Sequence, residues 1–280
     1  MNKRKITAFR LTFLLIATIF TTWGSYMLGK QLNVLLPIFS CAYVPSSGAI
    51  GVCQTLATLG LTLASGAGTA LLSVLGMVAV CTVGILLLGR LWCGYVCPFG
   101  FYQELLSMIR KKLRLPGIRI PESARPVLRA VKWLLVLCLL FGIGFCSLCP
   151  VRFIMPSLAG FGSEINIIGM ILAGIVTGIC FFKERIFCQL CPMGSLIGLA
   201  NKTSIGRIKK TGTACTKCRA CLECCPMDIQ IIYTEREKPD VTHEDCIYCM
   251  KCIEACPEPD ALMFTMFGKK ILTSKRETRR

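Results

Sequence analysis

Cys215, Cys218, Cys221 and Cys225 are followed by Pro226, and Cys246, Cys249, Cys252 and Cys256 are followed by Pro257. The pattern C-x2-C-x2-C-x3-C-P is therefore written twice. Three thiols spaced two residues apart fit one short loop wrapped around a single cubane, while the fourth reaches the other cluster. This assigns cluster I to Cys215, Cys218, Cys221 and Cys256, and cluster II to Cys246, Cys249, Cys252 and Cys225. Zinc sites also use C-x2-C pairs, but two complete copies, each with its terminal Cys-Pro, favour two [4Fe–4S] clusters. The stretches 229–233 and 261–264 read as strands, each following its own Cys-Pro, so the unit is an internal duplication. Cys224, beside Cys225, reads as a spare thiol.

The rest of the chain has another character. Of 280 residues 54% are hydrophobic and the mean hydropathy is +0.64, more apolar than a soluble domain. No charged residue occurs from Gln31 to Gly89. Apolar runs at Leu11–Gly29, Ala70–Leu88, Val131–Leu148 and Ile165–Phe182 predict four membrane-crossing helices. The net charge of +17 comes largely from basic residues beside these runs, among them Lys3, Arg4, Lys5, Arg110, Lys111 and Lys112. Such placement is a topology signal rather than a nucleic-acid surface. It puts both termini and the cysteine-rich unit on the cytoplasmic side of a bacterial inner membrane.

Ile50–Ala64, broken by glycines, is then a re-entrant or interfacial segment. The amphipathic stretch 101–115 reads as a surface helix at the lipid boundary, with docking of the cysteine-rich unit as the alternative. The expected fold is mainly α: a four-helix transmembrane bundle of two hairpins over 1–200, a small α+β two-cluster domain over 201–270, and a basic tail over 271–280.

A second repeat lies in the apolar part. Arg90-Leu-Trp-Cys93 leads to Cys97-Pro98-Phe-Gly100, and Arg185-Ile-Phe-Cys188 leads to Cys191-Pro192-Met-Gly194. Each pair shares a helix face, and four such thiols can meet at a bundle axis. They are candidates for a further metal or cluster, since soft thiolates suit Fe–S, copper(I) or zinc, or for redox dithiols, or for packing. Cys41, Cys53, Cys146 and Cys149, expected at the opposite face, read as a disulfide-forming or second relay set. Cys81, Cys138 and Cys180 read as packing. Twenty cysteines in these spacings suit free thiolates in a reducing compartment.

The twin cubane motif resembles that of bacterial-type two-cluster ferredoxins. Joined to Cys93-x3-Cys97-Pro98 and to Cys188-x2-Cys191-Pro192, it makes the chain similar to the NapH-type membrane ferredoxins, within a wider NosR-like group of 4Fe–4S membrane proteins. The family shows C-x3-C-P at both sites, so the second site departs by one residue. The resemblance implies electron transfer between a quinone pool, or another membrane donor, and a partner oxidoreductase in a membrane complex. The chain would be an electron-transfer subunit of a quinol dehydrogenase rather than a self-contained enzyme. A maturation factor that reduces or metallates a partner metalloenzyme, or an anchor whose clusters are structural, would use the same motifs. His243 is the one histidine, so a bis-histidine haem is excluded, and there is no C-x-x-C-H for haem c. No Gly-rich dinucleotide motif is present.

Overall fold

The computed structural model describes residues 3–20, 37–38, 50–51, 68–118, 120–140, 149–151, 153–154 and 167–275. The long helices are α1 (Lys3–Ile19), α2 (Gly68–Leu88), α4 (Pro98–Lys112), α5 (Arg125–Leu140) and α6 (Ile167–Phe182). Short helices α3 (Leu91–Tyr95), α7 (Ile186–Leu190) and α8 (Pro192–Leu199) carry the Cys-Pro repeats. A two-residue parallel pairing joins β1 (Pro37–Ile38) to β2 (Ile50–Gly51).

The transmembrane expectation is not upheld. Among the described residues no helix is long and apolar enough to cross a membrane. A span needs about 20 apolar residues. Helices α1, α5 and α6 have 17, 16 and 16 residues, and the first two carry charges within them: Arg10 in α1 and Lys132 in α5 are both buried. In α2 the described side chains begin only at Leu75. The predicted extensions over 21–29 and 141–148, and the segment 52–64, lie outside the described residues.

Helix α4 is amphipathic in the inverse sense. Its polar residues Gln103, Glu104, Ser107 and Arg110 are buried, while Leu105, Met108 and Ile109 are 40–44% exposed. The polar face is occupied: Glu104 meets Arg10 of α1, Arg185 at 2.7 Å and Lys251 at 3.2 Å. The stretch expected as a lipid-boundary helix thus turns its polar face inward, where it docks the cysteine-rich unit.

That unit is built on an antiparallel sheet, β3 (Gly206–Lys210), β4 (Leu262–Met266) and β5 (Lys269–Thr273), in the order β3-β4-β5. The basic tail expected from 271 onward begins as the second half of β5, while 276–280 lie outside the described residues. The strand expected at 229–233 is instead a helical turn, α10 (Ile231–Thr234). Its C-terminal carbonyls explain the difference. The buried Lys210 ammonium donates to the carbonyls of Ile232, Tyr233 and Glu235 at 2.9, 3.0 and 2.7 Å, satisfying helix-end acceptors that a strand would have paired. One apolar core, with Ile208, Val241, Tyr248, Ile253 and Phe264, underlies the unit, and Ile6 of α1 and Leu91 of α3 pack against it.

Candidate functional site

The duplication read from the motifs extends to the backbone. Lys217 and Tyr248, each just before the second cysteine of its triplet, have φ of 60° and 51°. Arg219 and Met250, each just after it, have φ of 62° and 60°. These left-handed residues let a short loop coil on itself. Arg219 and Met250 are also the N-caps of α9 (Ala220–Glu223) and α11 (Lys251–Ala255). Turns that alternate hands aim successive N–H groups into one concavity, the form that binds anions and Fe–S cores.

Each concavity collects a four-thiol set. Cys215, Cys218, Cys221 and Cys256 line one cleft, with Lys210 and Tyr233. Cys225, Cys246, Cys249 and Cys252 line another, among Ile208, Ile229, Val241 and Ile247. The fourth cysteine of each motif thus lies with the other motif's triplet. The clefts differ in setting, since Cys218 is exposed and Cys252 buried. Cys224 Sγ donates to the Cys221 carbonyl at 3.4 Å, and burial, with the nearby Cys249 and Cys225, pushes its thiol up.

Cys93, Cys97, Cys188 and Cys191 lie within electrostatic reach of one another and make a third set. Both Cys-Pro steps do the same local work. Cys97 and Cys191 are N-caps, with ψ of 115° and 118°, and the following prolines open α4 and α8. Proline is preorganised for that position and lacks the N–H that would go unpaired. Cys191 Sγ accepts from the Gly194 N–H at 3.4 Å.

The two repeats then lock reciprocally. Arg90 of the first repeat donates from Nη2 to the Cys188 carbonyl of the second at 2.6 Å, and Arg185 of the second donates from Nη1 to the Cys93 carbonyl of the first at 3.0 Å. Each arginine also lies on the partner repeat's glycine. A Cβ on Gly100 would stand 2.3 Å from Arg185 Nη1, and one on Gly194 2.7 Å from Arg90 Nη2. The motif's Arg and Gly are thus two halves of one cross-repeat contact. Gln103, fully buried, adds a donor at 3.3 Å to Cys188 Sγ.

Both arginines are 1% exposed. Arg185 has Glu104 as partner, and Arg90 has Asp245 at 3.0 Å, but Arg90 Nε is buried without a partner. Burial pushes the Cys93, Cys97 and Cys191 thiols up, Cys191 to about 12. A bound metal removes the thiol protons itself, and the resulting negative charge would meet two buried guanidiniums and the spare Arg90 donor. The residues fit a thiolate-bound metal core.

The third set adjoins the second. Cys188, Met227, Ile229 and Ile247 form one buried apolar cluster, and Cys93, Cys225, Cys246 and Cys249 pack against it. Asn201, which no sequence signal singles out, fastens the units together. It is fully buried, accepts from the Arg90 N–H at 2.8 Å, and donates to the carbonyls of His243, Glu244 and Cys246 at 3.0, 3.2 and 2.8 Å. Lys132 joins Arg90 on Asp245 at 3.1 Å. His243 Nδ1 accepts from the Asp245 N–H at 3.0 Å, a local turn contact.

Other sequence candidates fare differently. Cys149, expected on the opposite face from Cys97, packs with it against Phe99 and Val151. Cys41, Cys53 and Cys146 lie outside the described residues. Cys180 is buried beside Gln103 at 3.7 Å, in keeping with packing.

Known proteins bear on these sets. A 4Fe–4S binding domain family matches residues 69–116 and 165–211, the two Cys-Pro repeats. A 4Fe–4S dicluster domain family matches residues 207–257. An uncharacterized protein of Methanocaldococcus jannaschii is 32% identical over 54% of the chain and 65% of its own length. The regulatory protein NosR of Pseudomonas aeruginosa is 30% identical over 54% of the chain and 22% of its own. The methylamine utilization ferredoxin-type protein MauN of Paracoccus denitrificans is 28% identical over 49% and 48%. The chain thus spans less than two thirds of each of these relatives. No solved structure matches it. With both Fe–S family models matched, the chain binds [4Fe–4S] clusters, and it is similar to ferredoxin-type proteins of a NosR-like group, with nothing that singles out the NapH type.

Proposed function

We propose that the chain is a three-centre electron relay at the bacterial inner membrane, passing electrons between a quinol, or another membrane donor, and a partner oxidoreductase. Cys93, Cys97, Cys188 and Cys191 hold one [4Fe–4S] centre, Cys225, Cys246, Cys249 and Cys252 the next, and Cys215, Cys218, Cys221 and Cys256 the last. Each centre supplies one-electron exchange when bound.

The observation that carries this reading is the shared apolar cluster in which Cys93 and Cys188 meet Cys225, Cys246 and Cys249. It joins the first two thiol sets through protein packing. The chain's own residues set the terms at each end. Arg90, Arg185 and Gln103 place donors around the first centre, and buried positive charge stabilises the more reduced, more negative state of a cluster. At the far end Cys218 is exposed between exposed Lys217 and Arg219, where a partner with an acidic surface would dock.

The test is iron and acid-labile sulfide per polypeptide after anaerobic purification. Three centres require about 12 iron, and Cys93→Ser or Cys188→Ser should leave about 8. A wild-type value of about 8, unchanged in both variants, would remove the first centre from the relay. Zinc in place of the missing iron would make that site structural.

A further inference from the structure

The loops that carry the first and second thiol sets cross at Gly94 and Ile247. Gly94 follows Cys93 and Ile247 follows Cys246, and a Cβ on Gly94 would run into the Ile247 carbonyl oxygen. Arg10 holds Gly94 at this crossing, donating from Nη1 to its carbonyl at 3.3 Å. The Nη2 of Arg10 turns the other way, to Glu104.

Glu104 is 3% exposed and gathers two further cations. Each of these also answers to a thiol set. Arg185 gives Nη2 to Glu104 at 2.7 Å and Nη1 to the Cys93 carbonyl at 3.0 Å, with Cys188 Sγ 4.0 Å from Nη1. Lys251 meets Glu104 at 3.2 Å, stands between Cys249 and Cys252 in the chain, and acts electrostatically on Cys249. The carboxylate thus sits behind both sets, and the cations it fixes face them. A fixed anion at such a place works against adding an electron to either centre, while the cations favour it. Salt screens charges this deeply buried only weakly. The set of Cys215, Cys218, Cys221 and Cys256 has Lys210 in its cleft instead, and none of the three cations on Glu104 lines that cleft.

We propose that Glu104 is a positioning residue that sets the reduction potentials of the first and second centres together, through its own charge and through its hold on Arg10, Arg185 and Lys251. Each centre takes up one electron on reduction, and no bond or proton moves at the carboxylate. The inference rests on the relay reading, and gives that relay one residue through which its first two potentials are linked.

The test is an anaerobic redox titration of the full-length, cluster-loaded protein followed by EPR. Each signal is assigned by its loss in Cys93→Ser, Cys249→Ser or Cys218→Ser. At a fixed solution potential, Glu104→Gln should raise the reduced-to-oxidised ratio of the first and second centres about tenfold. That is the effect of one unit charge about 10 Å away at an effective dielectric constant of about 20, or about 59 mV for one electron. The third centre should keep its potential, and Glu104→Asp should bring the other two back toward wild type. Lys251→Met removes a cation and should act in the opposite sense, lowering the reduced fraction of the second centre more than that of the first. It keeps the test open if Glu104→Gln sheds iron. Unchanged potentials in Glu104→Gln at full iron content would overturn the proposal. An equal shift in all three centres would do so too, since it would report general loosening, as would a second centre indifferent to Lys251→Met. About 12 iron with any of these results would leave the relay standing without this link. About 8 iron in the wild type would instead remove the first centre from the relay, and the shared tuning with it.

Discussion

At the scale of single residues, the cysteines declare themselves by spacing, and the residues that make them a site do not. The spacing C-x2-C-x2-C-x3-C-P groups the thiols into two sets of four, and the thiols of each set line one cleft. The Arg-x-x-Cys and Cys-Pro-x-Gly repeat is visible as a pattern, but its reason is not. Arg90 reaches Gly194 and Arg185 reaches Gly100, contacts 104 and 85 residues apart in sequence that only a fold can pair. Asn201 is invisible for the same reason, because its four partners come from two separate stretches. The reciprocal contact makes a testable claim. Gly100→Ala places a methyl 2.3 Å from Arg185 Nη1 and 3.0 Å from the Cys93 carbonyl oxygen that this nitrogen bonds. Arg185 must then leave the Cys93 carbonyl. The expected result is a loss of about 4 iron per chain, with the other two centres retained. Retention of full iron content and an unchanged EPR spectrum would show that the arginine contact is dispensable.

At the scale of elements, α4 shows what pattern reading leaves out. Its alternation of Leu and Met with Arg, Lys and Glu predicts an apolar face turned to the interior or to lipid. In the fold the polar face is the inner one, because Arg10, Arg185 and Lys251 from three other elements converge on Glu104. Burial alone would raise the Glu104 carboxyl, but Arg185, Lys251 and Arg10 together hold it far below its ordinary value. Glu104→Gln leaves these buried cations facing a neutral amide. It should cost about 3–5 kcal/mol in urea unfolding, the usual penalty for breaking a buried ion pair. Glu184 belongs to the same network, through Lys251 and, at 2.8 Å, Lys111. Its burial raises the carboxyl, and the two lysines overcome that, holding it at about 2 against an ordinary 4.5. A lowered folded-state value stabilises above the unfolded value and loses that stability as pH falls through the folded one. The advantage of wild type over Glu184→Gln should therefore be full above pH 5, at most about 3 kcal/mol. It should shrink steadily as pH drops from 4.5 toward 2. A pH-independent difference would mean that the ion pairs add nothing and only packing was lost.

At the scale of the whole molecule, the sequence reads as a helical part followed by a small two-cluster part, but the relation between the two is not legible in it. Apolar composition reads as a set of bilayer crossings with the clusters appended. Instead the helical part wraps the cluster unit, contributing Ile6 and Leu91 to its packing and Arg90, Glu104 and Asn201 to its fastening. Hydropathy counts apolar residues and says nothing of the buried arginines that tie the parts together. The remaining apolar surface still needs a physical account. Phe9, Phe13 and Ile16 on α1, Val127 and Leu134 on α5, and Ile168, Ile171 and Ile175 on α6 are 45–63% exposed, apart from Phe9 at 69%. A belt of this kind, on several helices, exceeds the scattered apolar exposure normal for a water-soluble surface. Its proposed place against a bilayer predicts how the protein behaves with lipid. The full chain should sediment with phosphatidylethanolamine–phosphatidylglycerol vesicles and stay bound in about 1 M KCl, where the Debye length of about 3 Å removes attraction by surface charge. Replacing Phe9, Phe13 and Ile16 together by serine should release a large fraction of it without loss of iron, since none of the three lines a thiol set. Release of the wild-type chain by salt alone would show that its many lysines and arginines, rather than this belt, hold it to lipid, and a chain that stays monodisperse without vesicles or detergent would remove the membrane from the proposed function.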